Sequence, residues 1–379
     1  MKINQIATIL NQINQEVIGK SAIIEEDLSN IVDVGRAITS DTTWGDNFDN
    51  YVKKLIDKVG KTMFVDRVYQ STTPSILHDS WEYGSILEKV RCDVGEFEAN
   101  KEWTLTPETQ FDVFKFQPAS VQAKYFNSKT TYQLRISITQ KQMKSAFNSA
   151  AAMNSFISMI ENRIQMKMTL ASDALIMRTI VNLIAEKIKA NNNVVNLLAE
   201  YKTATGSTIT AETALTDKEF LRFAAKTIMQ YKKLIATASM LYNNDGYVTF
   251  TPAERLKAVF ASDFDLALKT SLYADTYNEE FVKLDGYSIV PFWQGSGTAN
   301  GERLKINAVP ASGGPAVVKD GVVAVLFDEY AAAVCNEEPE VSSIYNPEGR
   351  FWNYFYTYDA SFMNDLGENV IVFTIENAE

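Results

Sequence analysis

The sequence predicts a mixed α+β fold, and three observations carry that prediction. Met153–Ala190 is one stretch of helix-forming residues without Pro or Gly. The region from about Trp81 to Ser137, and the segments RFWNYFYTYDASF and ENVIVFTIEN near the C-terminus, are rich in β-branched and aromatic residues. From Thr216 to Phe327 strand and helix patterns mix, as in an α+β unit.

Taken in order, residues 1–60 form an arm. Asn4–Ile18 is an amphipathic helix with Ile6, Ile9, Leu10, Ile13 and Val17 on one side, stopped by Gly19. A second helix, Asn47–Val59, carries Phe48, Tyr51, Val52, Leu55 and Ile56. Both must bury their apolar faces elsewhere, on this chain or on a neighbour. Thr62–Tyr69 is a strand. SILEKVRCDV, FDVFKF, VQAKYF and TTYQLRISI are strands around a polar, turn-rich tip, which predicts a projecting hairpin. A free two-stranded hairpin is marginal in water and needs a partner surface. Thr139 opens a short helix, Gln140–Phe147. Asn148–Ala152 is a softer stretch, a candidate hinge, before the long helix.

In the long helix, Phe156, Ile157, Ile160 and Ile164, then Ile176, Ile180, Leu183 and Ile184, recur at helical spacing. At ~1.5 Å per residue it is roughly 55 Å long, a rod along which other elements lie. The stripe is not a strict heptad, so the helix does not read as a coiled coil. TATGSTITAETAL is a loop. Thr216 with Glu219 forms a capping box for a helix whose apolar face is Phe220, Phe223, Ala224, Ile228 and Met229. Tyr247–Phe250 is a strand after the turn NNDG. Thr251 and Pro252 open another helix, Pro252 at its first position. FVKLDGYSIVPFW, RLKINAV and GVVAVLF supply further strands.

Composition bounds the function. The 379 residues allow two or three structural units. A net charge of −11 and a pI of about 4.9 argue against a conventional nucleic-acid reader, which carries a basic patch. They permit lying beside nucleic acid without sticking to it. Cys92, Cys335 and the single His78 cannot supply a four-ligand zinc site. The two thiols are expected to be buried in a reducing compartment. The N-terminus is too polar for a secretory signal, and no apolar run approaches the ~20 residues that span a bilayer.

Motifs for chemistry are weak. Gly295–Gly301 (GSGTANG) has neither phosphate-loop spacing and is a surface loop. Asn243–Gly246 (NNDG) lacks the later Glu of a calcium loop and is a turn. Glu337, Glu338 and Glu340 flank Pro339 as a solvated edge. Asp263 and Asp265 are paired acids without a His or Lys partner nearby in sequence. No nucleophile motif occurs. No catalytic, cofactor-binding or metal-ligating residue is assigned, and the chain is expected not to be an enzyme.

A helical arm, a long hairpin, a single long helix, a mixed unit and a closing aromatic β segment, in that order, resemble the major capsid proteins of tailed bacteriophages with the Hong Kong 97-type fold. YVTFTPAERL looks like that family's strand followed by a capped helix. LDGYSIVPF is similar to its apolar strand ending in Pro, and VVAVLFDEYAAAV to the strand and turn that leave the axial domain. The resemblance implies an N-terminal arm at 1–60 and an extended loop at 79–137. It implies a peripheral domain from 61–78, 138–204 and 333–362, with its spine helix at 153–190, and an axial domain from 205–332 and 363–379. It implies hexamers and pentamers of an icosahedral shell in the virion around double-stranded DNA held without sequence preference. Assembly would occur in the host bacterial cytoplasm, with a portal and no membrane. The arm is short for a cleaved scaffolding segment, so a separate scaffolding protein is expected. Certain members join a Lys of the extended loop to an Asn of a neighbour; Lys101 lies near that place, without an assignable acceptor. Two alternatives stand beside this one, an encapsulin-like compartment shell and a hydrolase using the acidic clusters. A tail or fibre subunit is a third, less suited to so long a central helix.

Overall fold

A computed structural model of the chain describes residues 87–92, 121–142, 150–272, 287–293, 302–336 and 340–377, with isolated positions between 7 and 118. Of the predicted arm helices Ala7, Leu10 and Asn11 are described, all three helical; the second arm helix (47–59) and the strand Thr62–Tyr69 lie outside the described residues, as do His78, Lys101, Gly295–Gly301, Glu337 and Glu338. The chain divides into two compact units. The first takes 1–71, 129–175 and 336–361, and the second takes 72–128, 176–335 and 362–379.

The long helix, α1, runs Ala150–Ala190, 41 residues. It starts three residues before the predicted Met153, because Ala150–Ala152 are strong helix formers and are already helical. Asn148 lies outside the described residues. Phe156, Ile160 and Ile164 are buried in the first unit, and Ile176, Ile180, Leu183 and Ile184 in the second, as their spacing predicts. The helix ends where Asn191 (φ 47°) and Asn193 (φ 59°) turn left-handed, a conformation Asn tolerates. Met166–Ala190 is long and apolar enough by composition to cross a membrane, contrary to the expectation from the sequence. It also holds the buried Glu186 and Lys187.

In the first unit, β3 (Ser128–Thr139) and β11 (Glu340–Asn346) both pair with β12 (Phe351–Asn364). The aromatic density of β12 is explained there. Tyr358 stacks on Tyr132 at 5.2 Å, Phe355 lies under Arg135, and Trp352 packs on Tyr345. Thr139 and Gln142 cap each other's backbone at the start of the predicted short helix, of which 140–142 are described.

The second unit is built on a five-stranded sheet. Its order is β4 (Val194–Asn196), β13 (Val370–Thr374), β9 (Val322–Asp328), β5 (Leu256–Ala261), β6 (Tyr287–Val290). The outer pairs are parallel and the inner pairs antiparallel. β9 and β13 are buried at every position, which is why they read as unbroken apolar runs. Three helices share a core with this sheet: α2 (Leu197–Thr205), α4 (Lys218–Leu234) and α5 (Ser262–Leu272). Phe220, Ala224 and Ile228 of α4 meet Phe260, Leu326 and Phe373 of the strands. A short α3 (Ala211–Ala214) and the strand pair β7 (Ile306–Ala308) with β8 (Val317–Lys319) complete the unit, with β10 (Ala332–Asn336) continuing the chain from it.

Several expectations are corrected. The helix expected at Thr251 is a turn, closed by Arg255 and Leu256 amides on Pro252 O, followed by strand β5. LKAVFA fits the pleated, buried position between β9 and β6 better than a helix surface. Tyr247–Phe250 contributes only a bridge from Thr249 to Ser239. The cap of α4 is Asp217, whose carboxylate accepts the Phe220 amide at 2.7 Å, while Thr216 bonds back to Thr213. Asp wins because it places a full charge on the helix N-terminus. Met229 is exposed and Leu221 takes its place in the core. The loop predicted at 203–215 holds the end of α2 and all of α3.

Candidate assembly site

β1 (Leu87–Cys92) and β2 (Val121–Phe126) form the antiparallel stem of the predicted hairpin. Alternation sends Lys89 and Arg91 to one face and Glu88, Val90 and Cys92 to the other. The register places Lys89 directly opposite Lys124. Like charges facing across a ladder destabilise a hairpin. Here both are met by one carboxylate of the β12–β13 turn: Asp365 Oδ2 lies 2.6 Å from Lys89 and Oδ1 lies 3.0 Å from Lys124.

Around that bridge the clamp is closed on all sides. Glu368 takes Lys89 at 2.5 Å and Arg91 at 2.6 Å, and Arg91 also donates to Gly367 O at 2.8 Å. Asp245, in the NNDG turn, takes Lys124 as well. Three cations thus meet three carboxylates, of which Asp365 and Glu368 are buried. Burial alone would raise the Asp365 carboxyl, but Lys89, the Gly367 amide and Lys124 outweigh it and hold it below its ordinary 3.8. Burial would lower Lys124, and its bonds to Asp245 and Asp365 outweigh that, raising it above 10.5. Gly367 leaves room for the ion pair, since a Cβ there would displace the ends of the Asp245 and Lys124 side chains.

The NNDG turn is organised as its sequence predicts. Asn243 Oδ1 accepts the Gly246 amide at 2.7 Å, and Gly246 has φ 72°. Its neighbour Asn244 donates its backbone amide to Leu366 O in the β12–β13 turn and accepts from Lys187 Nζ at 2.6 Å. Lys187 is wholly buried in the last turn of α1, and that burial pushes its pKa down to about 8 against the pull of Asp245 and Glu186. Glu186 in turn accepts from the backbone and hydroxyl of Ser312 at 3.0 and 2.7 Å. One polar chain therefore ties the end of α1, two turns and the hairpin stem together.

The opposite face of the stem is apolar and open. Val90 is 60% exposed, Val121 58% and Tyr125 65%. In the loop beyond, Leu105, Phe114 and Phe116 are exposed too. A hairpin with its cations turned inward and Val90, Val121 and Tyr125 outward, beside the one acid Glu88, is arranged to receive another surface.

The acids singled out in the sequence have structural partners. Asp265 pairs with Lys269, four residues on, at 2.8 Å and accepts the Tyr287 hydroxyl at 2.6 Å, which corrects the expectation that no Lys lies nearby. Asp263 pairs with Arg303. Glu340 is exposed at the start of β11. Cys335 is buried as expected, whereas Cys92 is exposed on the open face of the hairpin. Among the described residues no cluster of His, Cys, Asp and Glu is placed to hold a metal. Lys89, Arg91, Lys124, Lys187, Asp365 and Glu368 were not singled out by the sequence. The alternation K-V-R in LEKVRC is the one local signal of the clamp's cations; the carboxylates that meet Lys89 and Arg91 lie more than 270 residues away, and Asp245 lies 121 residues from Lys124.

This fold is shared with phage capsids. A chain of the capsid of Staphylococcus phage Andhra superposes with a TM-score of 0.53 at 12% identity, covering 80% of this chain and 84% of that one. A chain in the structure of head fiber and inner core protein gp22 of native bacteriophage P68 gives 0.51 at 11% identity, covering 82% and 87%. At such identities the likeness shows the fold, the α+β Hong Kong 97-type capsid fold. The family model for Phi29-like phage major capsid proteins matches residues 6–374, and the chain belongs to that family. It is a major capsid protein with a structural role, self-assembling into the capsid of the virion. A comparison with curated protein sequences finds no match.

Proposed function

We propose that copies of this chain assemble as hexamers and pentamers into a closed icosahedral shell around double-stranded DNA. The observation that carries this reading is the hairpin stem, whose polar face is locked by ion pairs while its apolar face stays open. Burial of such a face contributes ~25 cal/mol per Å² before association costs. Repeated by symmetry, modest contacts sum to a stable wall. The division into an arm (1–60), an extended loop (79–137), a peripheral domain (61–78, 138–204, 333–362) and an axial domain (205–332, 363–379) belongs to the same proposal. So do a separate scaffolding protein, a portal, assembly in the host bacterial cytoplasm and the absence of a membrane partner. The net charge of −11 supports a wall along which packaged DNA slides.

Electron microscopy of particles containing the protein tests the reading. Closed angular shells with dense DNA inside support it. Shells filled with an enzyme cargo favour the compartment alternative, and discrete monomers in the presence of a co-expressed scaffold overturn the proposal.

A further inference from the structure

We propose that the exposed face of α1 in the first unit, from Met159 to Ala174, is a docking strip for an acidic amphipathic helix. Met159, Met166 and Leu170 are 53%, 64% and 57% exposed, whereas Phe156, Ile160, Ile164, Met168 and Leu175 of the same helix are buried. At about 100° per residue these three fall within roughly a 40° arc, so they form one narrow ridge. Arg163 and Lys167 lie along one side of that ridge, both exposed and neither paired with a described residue. Ala174 continues the strip.

The spacing defines the partner. Residues 159, 163, 166 and 170 step by four, three and four, the d-a-d-a spacing at which one helix accepts another. Met at such positions adapts to varied apolar partners. Arg163 occupies one of the inward positions and Lys167 flanks it. A partner helix must therefore bring carboxylates to that side, and Arg presents a planar fork that fits them. On a chain of net charge −11, a pair of exposed cations beside an apolar strip, with no ion-pair partner among the described residues, is a selective feature. The same face of a second copy would present Arg163 and Lys167 again, and the nearby acid, Asp173, is already engaged. Duplex DNA would be drawn to the cations but would leave the Met and Leu side chains unburied. Charge and apolar pattern together fit an acidic amphipathic helix.

The test uses the full-length chain and a labelled synthetic helix of roughly 16 residues, matched to the strip at ~1.5 Å per residue. The peptide carries Leu at its inward heptad positions and Glu at the flanks; a second peptide carries Lys at the flanks. The Glu peptide is expected to bind and the Lys peptide not. The double variant Arg163→Glu with Lys167→Glu is expected to invert that preference, by about tenfold or more in each direction. Met166→Ser with Leu170→Ser is expected to abolish both. All four positions are exposed, so circular dichroism should be unchanged, which separates loss of docking from loss of fold. Equal binding of both peptides, or binding indifferent to the variants, overturns the proposal. Displacement of the peptide by a duplex DNA fragment overturns it in favour of a phosphate-binding surface. Self-association lost in the Ser variant overturns it in favour of a second copy. Shell formation by the unmodified chain is scored in the same preparations, so shells without peptide binding reject the strip and leave the capsid reading standing.

Discussion

At the scale of single residues, the clamp turns on Asp365, which pairs with the two lysines that β1 and β2 force together. Asp365→Asn keeps the shape and removes the charge. The β1 and β2 amides should then exchange with solvent about tenfold faster, equivalent to roughly 1.4 kcal/mol, while the five-stranded sheet stays protected. The clamp also has a pH window. Asp365 is depressed on folding, so its contribution is present above the ordinary carboxylate pKa and is lost as pH falls through the lower folded value. Lys124 is raised, so its contribution is present below 10.5 and is lost as pH rises through the higher folded value. Hydrogen exchange of the stem should therefore stay flat from about pH 5 to 10 once corrected for intrinsic rates. Lys187 acts in the opposite direction. Its folded pKa of about 8 lies below its unfolded 10.5, so the chain should gain stability as pH rises from 8 to 10.5, by an order of 3 kcal/mol. Lys187→Met keeps the apolar stem and removes the buried charge. Denaturant titration should find it more stable than the parent at pH 7, with the alkaline rise abolished.

At the scale of elements, the turn chemistry around β9 is exacting. Gly321 has φ 73°, and a Cβ there would run into the carbonyl oxygen of Ile375. That oxygen belongs to the residue whose amide donates to Gly321 O at 2.8 Å. Gly321→Ala combines a strained backbone with a clash against main chain, so thermal unfolding should show a loss of about 2 kcal/mol or more. β5 makes the complementary point. Its sequence follows a Thr-Pro pair that opens helices elsewhere, yet it is a strand because β9 and β6 flank it on both sides. A local start signal loses to two ladders of hydrogen bonds and the burial of Val259 and Phe260.

At the scale of the whole molecule, a hairpin that is half ionic clamp and half open apolar face separates folding from assembly. The charged side fastens the stem within its own unit, and the apolar side is left for a neighbour. Val90→Asp places a charge in the middle of the open face without touching the clamp. The chain should remain folded by circular dichroism, and the yield of closed shells in the microscope should fall severalfold. An unchanged yield would remove the stem from the assembly surface. The buried carboxylates of the clamp are only weakly screened, so moderate salt should slow shell formation little through loss of stem order.

The sequence alone determined the α+β class, the long helix with its buried stripe, the hairpin strands and the two largely apolar strands inside the five-stranded sheet. Each of these is written in a local period: 3.6 for Phe156, Ile160 and Ile164, two for Lys89 and Arg91, and unbroken runs for Val322–Asp328 and Val370–Thr374. The NNDG turn was legible for the same reason, because Asn243 and Gly246 settle their geometry between themselves. The tertiary structure decided what depends on distant partners. It chose strand over helix at Leu256–Ala261, paired Asp265 with Lys269 and Tyr287, exposed Cys92, and buried Lys187. It also closed the clamp, whose cations near residue 90 and carboxylates near residue 365 share no sequence pattern. They meet because the hairpin and the β12–β13 turn fold into the same unit.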